Sequence, residues 1–404
     1  MLLIGINELR PGLRVRAAVV NPTALDRPLL KPGAVLTEPV IASLGKHGVR
    51  QIWVEHTLTN DLDNAAYPDL IRAKHAVHAL LKTDIPRLAD RPLTGERVLE
   101  YRHAVIELVR RTEAARPFAG LADQLFDAEA VLAGHCANTA YLATLIALEL
   151  ESYVVRERPT LSTRRAGNIV NLALGAMLHD IGKVWLDAAG VLRHEATEPV
   201  GPASAAPYVD HPDLGYDMLT DTEVPATVSH IVRCHHHRDD GTGWPDQRDG
   251  PRAVLKEPTG PRPHVFTRIV SAANVLDTLM FDADGVPRSI VAAISDFASP
   301  RFDGWFDPVV RRAVLRRLPP FAIGSQVELS DGRNAVVIAT NSRQPCRPTV
   351  RLLDATDPVS GRPIALDLVE HRHVCITSCL GEPVRRSLFE LPEPYAAQPP
   401  SEAA

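Results

Sequence analysis

The stretch Gly175-Ala176-Met177-Leu178-His179-Asp180-Ile181-Gly182-Lys183 puts an imidazole, a carboxylate and an ammonium group into an otherwise apolar helical run. Burying three such groups is costly unless each finds a partner. A divalent cation meets that need economically, because neutral imidazole and carboxylate both ligate and one carboxylate can bridge two ions. Lys183, past Gly182 at the helix end, is then placed to meet an anionic group lying on the metal.

Outward from this stretch, residues 121 to 318 read as helical by periodicity. Leu132, Ala137, Tyr141, Leu142, Leu145, Ile146 and Leu148 form an apolar stripe with His135 at its start. Alone, a histidine in such a stripe is more often a satisfied core residue than a ligand. Its company changes that reading. After an irregular stretch at 198–209 rich in Pro, Ala and Gly, His211-Pro212 opens a further helix, and Cys234-His235-His236-His237 closes another. Imidazoles from several helices together with an Asp suit iron or manganese, and also zinc, while the lack of cysteine ligand pairs argues against a purely structural zinc. The donors exceed what one tetrahedral ion needs, which predicts two ions sharing Asp180. Such a pair stabilises the attacking and leaving oxygens of a phosphodiester and lowers the pKa of a bridging water. Phosphoester hydrolysis is the chemistry this predicts.

Composition sets the surroundings. The 404 residues are 45% hydrophobic, enough for a sizeable core and two or three domains, and the net charge of −5 argues against general electrostatic binding to DNA. Cys136, Cys234, Cys346, Cys375 and Cys379 are scattered, odd in number and unlike a disulfide framework, so a reducing cytoplasm is expected. Met1-Leu2-Leu3-Ile4-Gly5 is too short for a signal sequence, and no apolar run is long enough to predict a membrane span.

Residues 1–58 read as a small α+β module for regulation or docking of a protein partner, with β-rich runs at Arg14–Val20 and Gln51–Val54 flanking an amphipathic helix near Glu38–His47. Residues 59–120 form a helical connector, which permits a homodimer without requiring one. One apolar face there is made by Leu70, Ile71, Val77, Leu80 and Leu81, another by Val98, Val105, Ile106 and Val109. Beyond Pro319-Pro320, residues 319–391 form a small β-rich appendix. Its strand-like runs lie at Val327–Leu329, Ala335–Ile338 and Thr349–Leu353 around an Asp331-Gly332 turn, and His371-Arg372-His373-Val374 closes it without a metal role. Residues 392–404 read as a disordered tail.

His179-Asp180 with Lys183, His211-Pro212, and His235-His236 followed by Asp240-Gly241-Thr242-Gly243-Trp244-Pro245 resemble the HD-GYP branch of the HD metal-dependent phosphohydrolases. Thr267-Arg268-Ile269-Val270 and Gly304-Trp305-Phe306-Asp307-Pro308 extend the resemblance, with Trp244 where that family has Tyr. It implies a mainly α fold: an HD-type helical bundle at 121–318 between the N-terminal α+β module and the C-terminal β-rich appendix. It implies His135, His179, Asp180, His211, His235 and His236 as ligands of two divalent ions, with Asp180 bridging and a metal-bridging hydroxide as nucleophile. Lys183 is implied to touch a phosphate oxygen, and Gly241, Gly243, Trp244 and Pro245 to shape a pocket for a cyclic dinucleotide. The expected reaction is hydrolysis of cyclic di-GMP to linear pGpG or GMP. Gly241 and Gly243 permit close backbone approach, and Trp244 offers a face either for a base or for packing.

The pattern departs in places. Asn274 stands where the family's last ligand is an Asp, and an amide oxygen is the poorer donor; Asp277, one turn on, reads more readily as a hydrogen-bonding residue than as a substitute ligand. Arg288 is the one candidate phosphate clamp where the family has a basic segment. Val131 replaces a Glu that completes a third metal site in some members, so at most two ions are indicated, and His237 replaces a common Glu as a partly exposed helix-end residue. These departures support an alternative: an impaired domain acting as a nucleotide sensor or protein-interaction scaffold.

Overall fold

The computed structural model describes residues 1–21, 27–62, 67–88, 91, 93–115, 130–185, 210–244, 262–282, 287–358 and 361–391. The 198–209 stretch, Pro245 and the tail from 392 lie outside them.

The chain opens with strand β1 (Leu2–Gly5), then helix α1 (Glu38–Lys46) and strand β2 (Gln51–Val54), which pairs antiparallel with β1. The helix and β2 fall where the periodicity put them. The continuous strand expected at Arg14–Val20 does not form. Val15 donates to the Ala34 carbonyl and accepts from the Gly33 amide, Arg16 donates to Trp53 and Val19 pairs with Leu30, so the segment makes isolated bridges with successive partners. β1 has no alternation to read because both its faces are covered. Leu3 joins the helical core, while Leu2 and Ile4 join a separate cluster with Val15, Leu36, Ile52 and Val54.

Helices α2 (Tyr67–Asp84) and α3 (Gly95–Ala114) pack on each other and on α4 (Val131–Glu149). Thr94 caps α3 by accepting from the Arg97 amide. α4 is apolar on all sides, from Leu132 to Ala147, which marks a helix enclosed by others. It alone among the described residues has the length and apolarity of a membrane span, and most of it is buried inside the protein. Around it lie α5 (Glu151–Arg156), α6 (Thr163–Ala166), α7 (Val170–Leu178), α8 (His211–Leu219), α9 (Ala226–Cys234) and α10 (Val265–Leu279). α11 (Ile290–Phe297) and α12 (Pro308–Arg317) complete the bundle. α12 starts with Pro308 at its first position and the Asp307 carboxylate accepting from Val309 N–H. One hydrophobic cluster runs through α2, α3, α4, α7, α9 and α10.

The C-terminal part is an antiparallel sheet in the order β6-β5-β4-β3-β7-β8: β3 (Gln326–Leu329), β4 (Asn334–Ala339), β5 (Thr349–Thr356), β6 (Pro363–Asp367), β7 (Ile376–Cys379) and β8 (Glu382–Pro383). Gly332, at φ +81°, makes the expected β3–β4 turn. The 371–374 segment, expected as a closing strand, instead lies in the turn between β6 and β7. Along β4 the side chains alternate: Ala335 and Val337 face the sheet's own core, and Val336 faces the N-terminal cluster. The N-terminal unit therefore covers the second face of this sheet. Arg351 fastens the two by donating to both Asp61 carboxylate oxygens (2.7 and 2.8 Å) and to the Leu58 carbonyl.

Candidate metal centre

Five histidines and Asp180 reach one buried point from four helices. His135 comes from the second turn of α4. His179 and Asp180 follow directly after α7, which ends at Leu178; the pair thus caps the helix instead of lying within it, and a 3-10 turn at Ile181–Trp185 carries Lys183 onward. His211 is the first residue of α8, and His235 and His236 follow α9. Helix ends can aim side chains at a common point without breaking apolar helix faces, which is why the histidines cluster there.

Gly182 makes the convergence feasible. A Cβ at this position would lie 2.0 Å from the His211 carbonyl oxygen and 2.6 Å from the Gly215 nitrogen, so only glycine lets the turn touch α8.

Asp180 lies at the middle, fully buried. Its Oδ2 faces His135 Nε2 and His179 Nε2, each at 3.3 Å, and its Oδ1 faces His211 Nε2 at 3.1 Å and His235 Nε2 at 3.4 Å. Two overlapping groups result: His135, His179 and Asp180, and Asp180, His211, His235 and His236. His179 Nδ1–H donates to the Ala176 carbonyl and His235 Nδ1–H to the Val232 carbonyl, both at 2.8 Å. Those bonds leave Nε2 as the lone-pair nitrogen in each neutral ring. Yet His179 Nε2 sits 3.2 Å from His135 Nε2, and His211 Nε2 sits 3.2 Å from His235 Nε2. The His179 and His235 lone pairs point at the Asp180 carboxylate in a crowded, buried space, and such groups repel unless a cation or a proton on a neighbouring ring lies among them. Asp180 Oδ1 and His236 Nε2 are also buried without a hydrogen bond among the described residues. The donor set therefore fits divalent ions.

Protonation points the same way. Burial pushes His235 down to about 3 despite the Asp180 carboxylate, and burial likewise holds His179 and His236 below the ordinary imidazole range. Burial acts to raise the Asp180 carboxyl, but His179 and Lys183 outweigh it and hold it well below the usual carboxylate range. These are the ligating forms, neutral imidazole and ionised carboxylate. His135 differs: burial lowers it, but Asp180 and Asp277 outweigh burial and push it up to about 9, so an ion arriving there displaces a proton.

Asp277 is not brought in as a ligand. Its Oδ2 accepts from His135 Nδ1–H at 2.7 Å, a carboxylate that orients the ring and keeps its Nε2 toward Asp180. Asp277→Asn keeps the volume and removes the charge, so metal affinity at the His135 group is expected to fall about 10–100-fold with helix content unchanged. Metal titration followed by circular dichroism checks this; an unchanged affinity would remove Asp277 from the site. Asn274 is buried on α10, about one turn before Asp277.

Lys183 Nζ donates to Asp180 Oδ2 at 2.8 Å and is almost wholly buried. Arg288, expected as a phosphate clamp, is tied to the Asp296 carboxylate (2.8 Å) and the Leu279 carbonyl (3.2 Å), and neither bond involves the cluster. Trp244 stacks on His236 with ring centroids 4.1 Å apart and planes 17° from parallel, so packing occupies one face of its ring. Gly243, at φ +104°, brings the loop so close that a Cβ would lie 2.1 Å from the His236 carbonyl oxygen. Gly241 has φ +80° and open space around it, so it supplies a turn, not a close approach. His237, expected as partly exposed, is buried and bonds to the Cys234 thiol.

Sequence reasoning gave no role to the network beneath this loop. Tyr153 O–H donates to Asp307, Arg268 binds Asp307 and Glu157, and Arg262 binds Asp239. The Asp239 and Asp240 amides donate to the Trp305 and Gly304 carbonyls, each at 3.0 Å, and Arg238 stacks over Trp305. Residues 304–308 therefore anchor the glycine loop that presents Trp244 to His236. Arg268 and the 304–308 run were visible as motifs; their pairing was not.

Comparison with known proteins agrees with this picture. Residues 132–279 match the HD domain, and residues 326–384 match a KOW domain associated with HD domain. Over 221 residues the chain is 28% identical to the cyclic di-GMP phosphodiesterase PA4108 of Pseudomonas aeruginosa; the match covers 53% of this chain and 46% of that protein, so it spans about half the length of its relative. Among solved structures it is similar to Bd1817, an HDG"Y"P protein from Bdellovibrio bacteriovorus, with a TM-score of 0.45, 17% identity, and coverage of 78% of this chain and 97% of that one. The HD-domain match and the phosphodiesterase relative agree with the HD-GYP resemblance read from the ordered motifs, from whose pattern Asn274 and Trp244 depart.

Proposed function

From the premise that residues 132–279 are an HD domain of the HD-GYP kind, we propose that this protein is a metal-dependent phosphodiesterase acting on cyclic di-GMP. The observation that carries the reading is Asp180, which turns one carboxylate oxygen to His135 and His179 and the other to His211 and His235. One group of residues would hold an ion with His135, His179 and Asp180, the other with Asp180, His211, His235 and His236. Two such ions, iron or manganese on this donor set, would supply Lewis-acid stabilisation of phosphodiester oxygens and an activated water.

The remaining residues do ordinary protein work. Asp277 fixes the tautomer of His135, and Lys183 keeps a positive charge beside Asp180 where a phosphate oxygen is to be received. The Gly241–Trp244 loop packs over His236 and closes one side of the centre, limiting water. Hydrolysis would yield linear pGpG or GMP.

One observation favours a second reading, a nucleotide receptor without turnover: Arg288 is engaged by Asp296, which weakens the grip on substrate phosphates. The test is anaerobic purification with iron or manganese, metal analysis, and chromatography of cyclic di-GMP incubations. The expected result is two metal equivalents and a linear product, both lost on chelation and restored on adding metal back. Binding of the nucleotide without product by the metal-replete protein would overturn hydrolysis in favour of the receptor.

A further inference from the structure

A cavity of about 680 Å³ lies in the C-terminal sheet domain, lined by none of the candidate metal ligands, between the β4–β5 connection, the β6–β7 turn and the segment at 388–391. Three of its lining residues are arginines, Arg343, Arg347 and Arg372, and one is a carboxylate, Glu390. Arg347 is half-buried and positioned: its Nη1 donates to the Leu368 and Val374 carbonyls, at 2.9 and 3.4 Å. Its Nε and Nη2 make no bond to a described residue. Among the described residues none of the three guanidinium groups has a carboxylate within ion-pairing distance, whereas Arg333 and Arg351 of the same sheet are each paired to an aspartate. Three like charges around one cavity repel each other, and a fixed fork with free donors matches an oxyanion. Phe389 and Leu391 add an apolar wall. The volume exceeds what an inorganic ion fills and lies in the range of small-molecule sites, roughly 300–1,000 Å³.

We propose that this cavity is a second ligand site, taking a phosphate-bearing small molecule of nucleotide size through Arg343, Arg347 and Arg372. It is independent of the metal centre. The full chain is titrated calorimetrically with GMP and, separately, with inorganic phosphate, in the presence of a chelator so that the metal centre does not contribute. Wild-type protein is expected to bind GMP saturably and more tightly than inorganic phosphate, and Arg343→Ala with Arg372→Ala to weaken GMP binding at least tenfold. Both substitutions are at exposed positions and leave the Arg347 contacts in place, so an unchanged unfolding midpoint without ligand is expected. Equal GMP affinity in wild type and variant would overturn the proposal, as would no saturable GMP binding. Equal affinity for phosphate and GMP would overturn the nucleotide-sized part of it. A chain cut after Leu391 serves as a further arm, since the sequence beyond it carries Glu393 and Glu402. GMP binding that appears only after that cut would make the acidic tail the occupant and sink the proposal.

Discussion

Asp180→Asn is expected to reduce metal content from two equivalents to at most one and to lower cyclic di-GMP hydrolysis by about 10³-fold. The isosteric amide keeps the volume of a fully buried side chain, so the surrounding helices keep their packing. The substitution does remove the one charge that faces four imidazoles. An amide presents one oxygen and one NH₂, so it cannot offer an oxygen to both histidine groups at once. Whichever way it turns, an N–H points at either the His135–His179 side or the His211–His235 side, and one ion loses its shared ligand. Loss of charge stabilisation worth several kcal/mol corresponds to roughly that thousandfold change in rate. Lys183 also loses its Asp180 carboxylate, which costs stability in the metal-free protein because the ammonium is almost wholly buried. Metal analysis, the hydrolysis assay and thermal unfolding read the three effects separately. Retention of two equivalents by Asp180→Asn would refute the bridging role of this carboxylate.

What was legible in the sequence divides along a physical line. The candidate ligands could be picked out because coordination demands rare residue types, and His135, His179, Asp180, His211, His235 and His236, which the fold brings together, stand out in apolar helices that otherwise have no use for them. The β3–β4 hairpin could be read because Asp331-Gly332 carries its turn chemistry locally. The orienting of His135 by Asp277 could not: the two are 142 residues apart, and nothing near either predicts the bond. The same holds for Tyr153, Arg268 and Asp307, which meet across separations of 154, 115 and 39 residues. β1 escaped because a strand buried on both faces shows no period, and the Arg14–Val20 segment misled because its β-prone residues pair with several partners in turn. The union of the N-terminal unit with the C-terminal sheet is written in β4, where apolar residues run consecutively. That run reads as a strand either way, and only the fold says what covers each face.

Gly182→Ala is expected to be among the most damaging of the glycine-to-alanine changes at described positions, because its obstacles are backbone atoms. The new Cβ would fall 2.0 Å from the His211 carbonyl oxygen and 2.6 Å from the Gly215 nitrogen, and no rotamer change relieves either contact. The 3-10 turn and α8 must therefore separate. His211 is the first residue of α8 and lies 3.1 Å from Asp180 Oδ1, so separation withdraws it from the second metal group while His135, on α4, and His179, just past the end of α7, stay in place. Overpacking of this kind costs about 2–3 kcal/mol. The expected result is a clear fall in unfolding temperature together with selective loss of one metal equivalent. Gly45→Ala on α1 is the matched control: nothing lies within 4 Å of its added Cβ, and helix propensity alone should make it neutral or stabilising by about 0.5–1 kcal/mol. Thermal unfolding and metal analysis of the two variants side by side decide the matter. If Gly182→Ala unfolds at the wild-type temperature and keeps both ions, then the close approach of the turn to α8 is not what holds His211 against Asp180.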